Sequence, residues 1–136
     1  MTLKAYRHTS LCLATVFGIV GLIFLFMSSD VLLVFNRISR PLRMEEVVSG
    51  GHNFYVILAV AYMYLVTMLA SLMYINPDKL VYPLLLINGK IASSTVSILF
   101  FFLDRHLLIY LTNGIVDGLI GVLVIAMYRN IRKGLQ

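Results

Sequence analysis

Four runs of at least 18 predominantly apolar residues restrict this chain more than any other feature. They cover 11–29, 54–75, 80–103 and 107–128. At 1.5 Å rise per residue, about 20 helical residues cross the roughly 30 Å hydrocarbon core of a bilayer, so each run is long enough to span one. A transmembrane barrel strand needs about half that length and alternates polar with apolar residues, a pattern no window sustains. With no water to satisfy backbone groups inside a bilayer, helices are the remaining solution. The chain is therefore expected to be an all-α integral membrane protein, one domain built as a four-transmembrane-helix bundle. Its 60% hydrophobic and 12% charged content excludes an ordinary water-soluble domain.

The boundaries follow from the polar punctuation. Lys4, Arg7 and His8 open the first run and Asp30 closes it. The first apolar stretch exceeds a signal-peptide core and "FMSSD" is a poor cleavage site, so an uncleaved first helix is expected. Asn76, Pro77, Asp78 and Lys79 form a turn between the second and third runs, and Asp104, Arg105 and His106 separate the third from the fourth as a tight hairpin. Tyr6, Tyr55, Tyr74, Tyr82, Tyr110 and Tyr128 fall near the span ends, where amphipathic rings sit at headgroup level. Gly50 and Gly51 mark the turn into the second run.

Four spans put both termini on one side together with the second loop. That side carries six lysines and arginines (Lys4, Arg7, Lys79, Arg129, Arg132 and Lys133), against four on the other (Arg37, Arg40, Arg43 and Arg105). The positive-inside rule then places both termini in the cytoplasm, with a bacterial inner membrane as the expected location. The net charge of +5 belongs to these helix flanks rather than to one water-facing surface, so no nucleic-acid partner is expected. The single cysteine, Cys12, excludes an intrachain disulfide and is read as a small apolar filler.

The longest connection, 30–53, contains Arg37, Arg40 and Arg43 at three-residue spacing among apolar residues. It reads as a short interfacial helix broken near Pro41, with arginines aimed at phosphates, or as a solvated basic loop.

The polar residues inside the apolar runs carry the functional content. Counted from the hairpin centre at Arg105, Lys90 lies about 22 Å back and Asp117 about 18 Å forward, so antiparallel neighbours bring them to nearly one level. Each charge alone would cost several kcal/mol at mid-bilayer, roughly 2.5 to 3.5 by insertion scales, which predicts a Lys90 to Asp117 contact. Asn113 and Ser94 lie one turn from the pair. Tyr64 and Thr67 belong to a polar stripe on the second helix that continues to Ser71 and Tyr74. The expected intramembrane cluster is Tyr64, Thr67, Lys90, Ser94, Asn113 and Asp117. Gly89, Ser93 and Ser97 on the third helix are expected to face Gly114, Gly118 and Gly121 on the fourth, with Gly18 and Gly21 giving the first helix a similar small face.

No zinc spacing, phosphate loop or nucleophile elbow is present, and Glu45 and Glu46 are adjacent and diverge. His52 and His106 begin the second and fourth runs on one side and are weak candidates for haem or metal ligation; no cofactor is expected. The preferred functional reading is a non-enzymatic accessory or scaffolding subunit of a larger membrane complex, with lipid and other membrane subunits, or its own copies, as partners. The alternatives are a small oligomeric transporter or proton-coupled component using Lys90 and Asp117, and a membrane redox module binding haem or quinone.

Overall fold

The computed structural model describes residues 2–47 and 52–134, with the side chains of 52–54, 133 and 134 outside the description. Its four helices are α1 (Leu3–Ser39), α2 (His52–Ile75), α3 (Val81–Leu103) and α4 (Leu108–Gly134). By length and composition, all four are able to cross a membrane. α1 packs along α2 and α3 along α4; α2/α3 and α1/α4 contacts then close the bundle, and the α1/α4 seam is the slightest of the four.

Each inward face has helical spacing. On α3 the buried positions are Pro83, Leu86, Ile87, Lys90, Ser94 and Phe101. On α4 they include Gly114, Asp117, Gly121, Val124 and Met127, again three or four residues apart. α2 contributes Met63, Val66, Ala70 and Met73 to the same core, and α1 contributes Tyr6, Leu13, Ala14 and Phe17. Tyr6 departs from the expected headgroup position: it is fully buried in that core, with its hydroxyl unpartnered. Cys12 is exposed on the outside of α1 rather than filling the interior.

The turns follow their sequences. Asn76 accepts from the Lys79 amide at 3.2 Å around Pro77, a β-turn with proline at its second position. Pro83 sits in the first turn of α3, where its missing N–H would have had no intrahelical acceptor.

The main departure from expectation is the end of α1. Asp30 does not close the helix, which runs 37 residues to Ser39, about 55 Å of helix. It bends at Met27, whose φ of −128° and ψ of 28° are non-helical, directly before Ser28 and Ser29. The stretch 28–39 is thus helical but continuous with α1 rather than a separate interfacial helix. Arg37 lies in its last turn, favourably placed for the helix dipole. Arg40 is the C-cap, and Arg43 occupies a left-handed turn at φ 53°. Their three-residue spacing therefore does not form one helical face. Beyond the cap, Asn36 clamps Val47 through two hydrogen bonds, Nδ2 to the Val47 carbonyl at 3.0 Å and the Val47 amide to Oδ1 at 2.8 Å. Glu45 bridges Leu107, so this segment and the α3 to α4 turn share one end of the bundle. The turn expected at Gly50 and Gly51 lies outside the described residues.

Candidate functional site: a buried ion pair at the bundle centre

Lys90 and Asp117 meet inside the bundle. Lys90 Nζ donates to Asp117 Oδ1 at 2.6 Å, and the two residues are 1% and 4% exposed. Lys90 and Asp117 reach one level because both lie at a similar distance from the short α3 to α4 turn, and both fall on the buried stripe of their helix.

The ammonium has two further neighbours. Phe17 of α1 lies with its ring centroid 4.6 Å from Nζ, and Tyr62 of α2 at 5.0 Å. Aromatic faces carry negative quadrupole density and attract a desolvated cation within about 6 Å. All four helices therefore converge on one lysine. Tyr62 is itself fixed by donating its hydroxyl proton to the Gly89 carbonyl at 3.3 Å. Neither Phe17 nor Tyr62 belongs to the cluster expected from sequence. Their signal was available only as aromatic residues at mid-run, which apolar patterning treats as core.

Asp117 is less well supplied. Its Oδ2 is buried and has no hydrogen-bond partner. Asn113, one turn away, makes no bond to the carboxylate: its Nδ2 donates to Ser97 Oγ at 2.7 Å and to Ser93 Oγ at 3.2 Å, with Asn113 itself exposed and the two serines half-buried between α3 and α4. Ser94 donates to the Gly114 carbonyl at 2.6 Å instead of supporting Lys90. Thr67 donates to the Met63 carbonyl and faces Gly18 of α1. Tyr64 is 71% exposed and takes no part. The expected six-residue cluster thus resolves into a buried pair, an interhelical serine, and an outward polar patch of Ser93, Ser97 and Asn113.

The small residues also sort differently. A Cβ at Gly114 would lie 2.7 Å from Ile98 Cγ1 and 3.4 Å from the Ser94 carbonyl oxygen. One at Gly118 would lie 3.0 Å from Ser94 Oγ, and one at Gly121 would lie 3.6 Å from Ile91. α4's glycines therefore meet Ile91, Ser94 and Ile98 rather than Gly89, Ser93 and Ser97. Gly89 faces Tyr62 on α2. A residue step of 100° separates Ser93 from Ser94, enough to move one to the rim and leave the other in the seam. Gly18 and Gly21 do admit α2, with Gly21 closest to Met63 Cβ.

A cavity of about 230 Å³ lies beside the pair in the loose α1/α4 seam, and both Lys90 and Asp117 line it. His106 is exposed and packs edge-on against Phe101 at 5.2 Å, while the His52 side chain lies outside the described residues. Among the described residues no group of three or more His, Cys, Asp or Glu side chains is gathered to hold a metal ion. At the end of α1, Arg40 Nε donates to Glu46 Oε1 at 2.9 Å; this exposed pair raises the arginine's pKa and lowers the carboxyl's from their ordinary values.

The fold and site define a class: an all-helical bundle of four long apolar helices with one charge pair at its centre. Comparison with protein-family models, curated proteins and solved structures finds no match.

Proposed function

We propose that the chain is an integral membrane protein, with both termini cytoplasmic in a bacterial inner membrane, and that it serves as a non-enzymatic accessory subunit docked against other membrane helices. The observation that carries this reading is the outward patch of Asn113, Ser93 and Ser97. It lies within the long apolar stretches of α3 and α4, so in a bilayer it faces either lipid or another helix. Polar side chains on a lipid-facing surface gain by hydrogen bonding across a helix interface, by about 0.6 to 2 kcal/mol each. The turns at 76–80 and 104–107 are short, so neither of these two connections holds a separate catalytic unit.

The test is extraction from the native membrane in mild detergent, with native mass spectrometry of wild type and Asn113→Leu. A stoichiometric complex in the wild type that dissociates in the variant supports docking through this patch. A stable 15.3 kDa monomer in both refutes it. A second reading, a small transporter or proton-coupled component, draws on the cavity that reaches Lys90 and Asp117. Flux in proteoliposomes that is unchanged by Asp117→Asn would remove that residue from such a role.

A further inference from the structure

The unpartnered Oδ2 of Asp117 and the cavity beside it call for a common explanation. Buried carboxylate oxygens are strong acceptors and are rarely left without a donor. Here Oδ1 takes the Lys90 proton donor, whereas Oδ2 takes none. The remaining walls are mostly apolar: Phe17, Phe24 and Phe35 come from α1, with Val116 and Ile120 from α4, where Thr112 and Asn113 are the polar exceptions. At the rim Val116 and Asn113 are exposed, so the cavity opens sideways between the helices. Asp117 itself lines the cavity, and the carboxylate χ2 is a soft, broad torsion that lets either oxygen turn towards it.

We propose that the α1/α4 seam binds a neutral, hydroxyl-bearing lipophile, a phenol or an alcohol, whose O–H donates to Asp117 Oδ2. Charge selects neutrality. Lys90 already balances Asp117, so a second cation would leave a net positive charge in a buried apolar site. The walls select an apolar body, and volume limits its size. An engineered apolar cavity of about 150 Å³ accepts benzene, whereas sites for drug-sized ligands begin near 300 Å³. The 230 Å³ here fits one substituted ring or a short branched chain, with any longer tail leaving through the rim between α1 and α4.

The probe pair is 4-propylphenol and its methyl ether, titrated into methyl-labelled protein in detergent micelles at matched micellar concentration. The expected result is saturable shifts at the Val116 and Ile120 methyls, with the phenol binding at least about tenfold more tightly than the ether, the factor a hydrogen bond to a charged group confers. A branched primary alcohol of equal size, run in parallel, separates a phenolic from an aliphatic ligand class by which binds more tightly. Val116→Phe fills the rim without touching the ion pair, and saturable binding should disappear. Equal affinity of phenol and ether, linear shifts from micellar partitioning alone, or undiminished binding in Val116→Phe would overturn the site.

Discussion

The charge pair allows a sharp energetic prediction, because attraction and burial cost nearly cancel. At 2.6 Å, an effective dielectric near 20 gives an attraction of about 6 kcal/mol. Placing each charge at the centre of a membrane helix costs roughly 2.5 to 3.5 kcal/mol, about 6 for the two. The intact pair is then near neutral for stability. Lys90→Met removes the attraction and one burial cost, leaving a deficit of about 3 kcal/mol, at the low end of the range of about 3 to 5 kcal/mol for broken buried pairs. Methionine is one heavy atom shorter than lysine but is unbranched, flexible and uncharged, so it fills most of the same space beside Phe17. Asp117→Leu should lose a similar amount. The double variant removes both costs with the attraction and should match wild type or exceed it, by up to about 4 kcal/mol where apolar packing is good. The coupling energy across this cycle is therefore about 6 kcal/mol. The assay is reversible unfolding in mixed micelles with increasing SDS fraction, read by a fluorophore pair at the helix ends. A double variant destabilised by the sum of the single effects would refute the reasoning, since independent sites add.

Further perturbations test the surrounding packing and the end of α1. Gly114→Ala drives a methyl to 2.7 Å from Ile98 Cγ1 and against the Ser94 carbonyl, so it should cost about 1 to 3 kcal/mol in the same unfolding assay. Gly121→Ala meets only ordinary contacts and should gain up to about 1 kcal/mol from helix propensity, with Gly118→Ala between them. Asn36→Leu removes both hydrogen bonds to Val47, and amide exchange at Val47 should rise by one to two orders of magnitude, for a loss of about 1 kcal/mol per bond. Glu46 should titrate below its ordinary value and return to it in Arg40→Gln, as followed by carboxyl NMR. Because its folded pKa is depressed, its small contribution is present above the ordinary carboxyl pKa and is lost as pH falls through the folded value. Exposure of both partners leaves bundle stability nearly independent of this titration.

What the sequence conveys about this fold depends on whether a feature repeats along a helix or sits at a single angular position. Apolar run length locates all four helices, and depth counting brings Lys90 to Asp117, because both quantities accumulate over many residues and tolerate an error of one. Angular placement has no such tolerance. Ser93 and Ser94 are equally plausible partners for α4 by composition, yet only Ser94 reaches Gly114, and Asn113 turns outward although Asp117, four residues on, turns in. Tyr64 and Thr67 separate in the same way, one exposed and one against α1.

The long α1 illustrates a different limit. Asp30 reads as a boundary because a charge is costly within hydrocarbon, but cost inside lipid says nothing about helicity outside it. Backbone hydrogen bonding can continue past the apolar run wherever side chains find water or polar partners, and here Asn36 and Ser39 provide the final contacts before Pro41. The bend at Met27 follows from the same division. The bend precedes the stretch in which Phe35 lines the cavity beside the ion pair and Asn36 holds Val47. The aromatic contacts of Lys90 have a related origin. Phe17 and Tyr62 are indistinguishable from core aromatics in sequence, and it is the arrival of a buried cation from a third helix that gives their ring faces an electrostatic role. A charge buried in an apolar run should therefore direct attention to aromatic residues at the same depth on every other helix, as well as to the opposite charge.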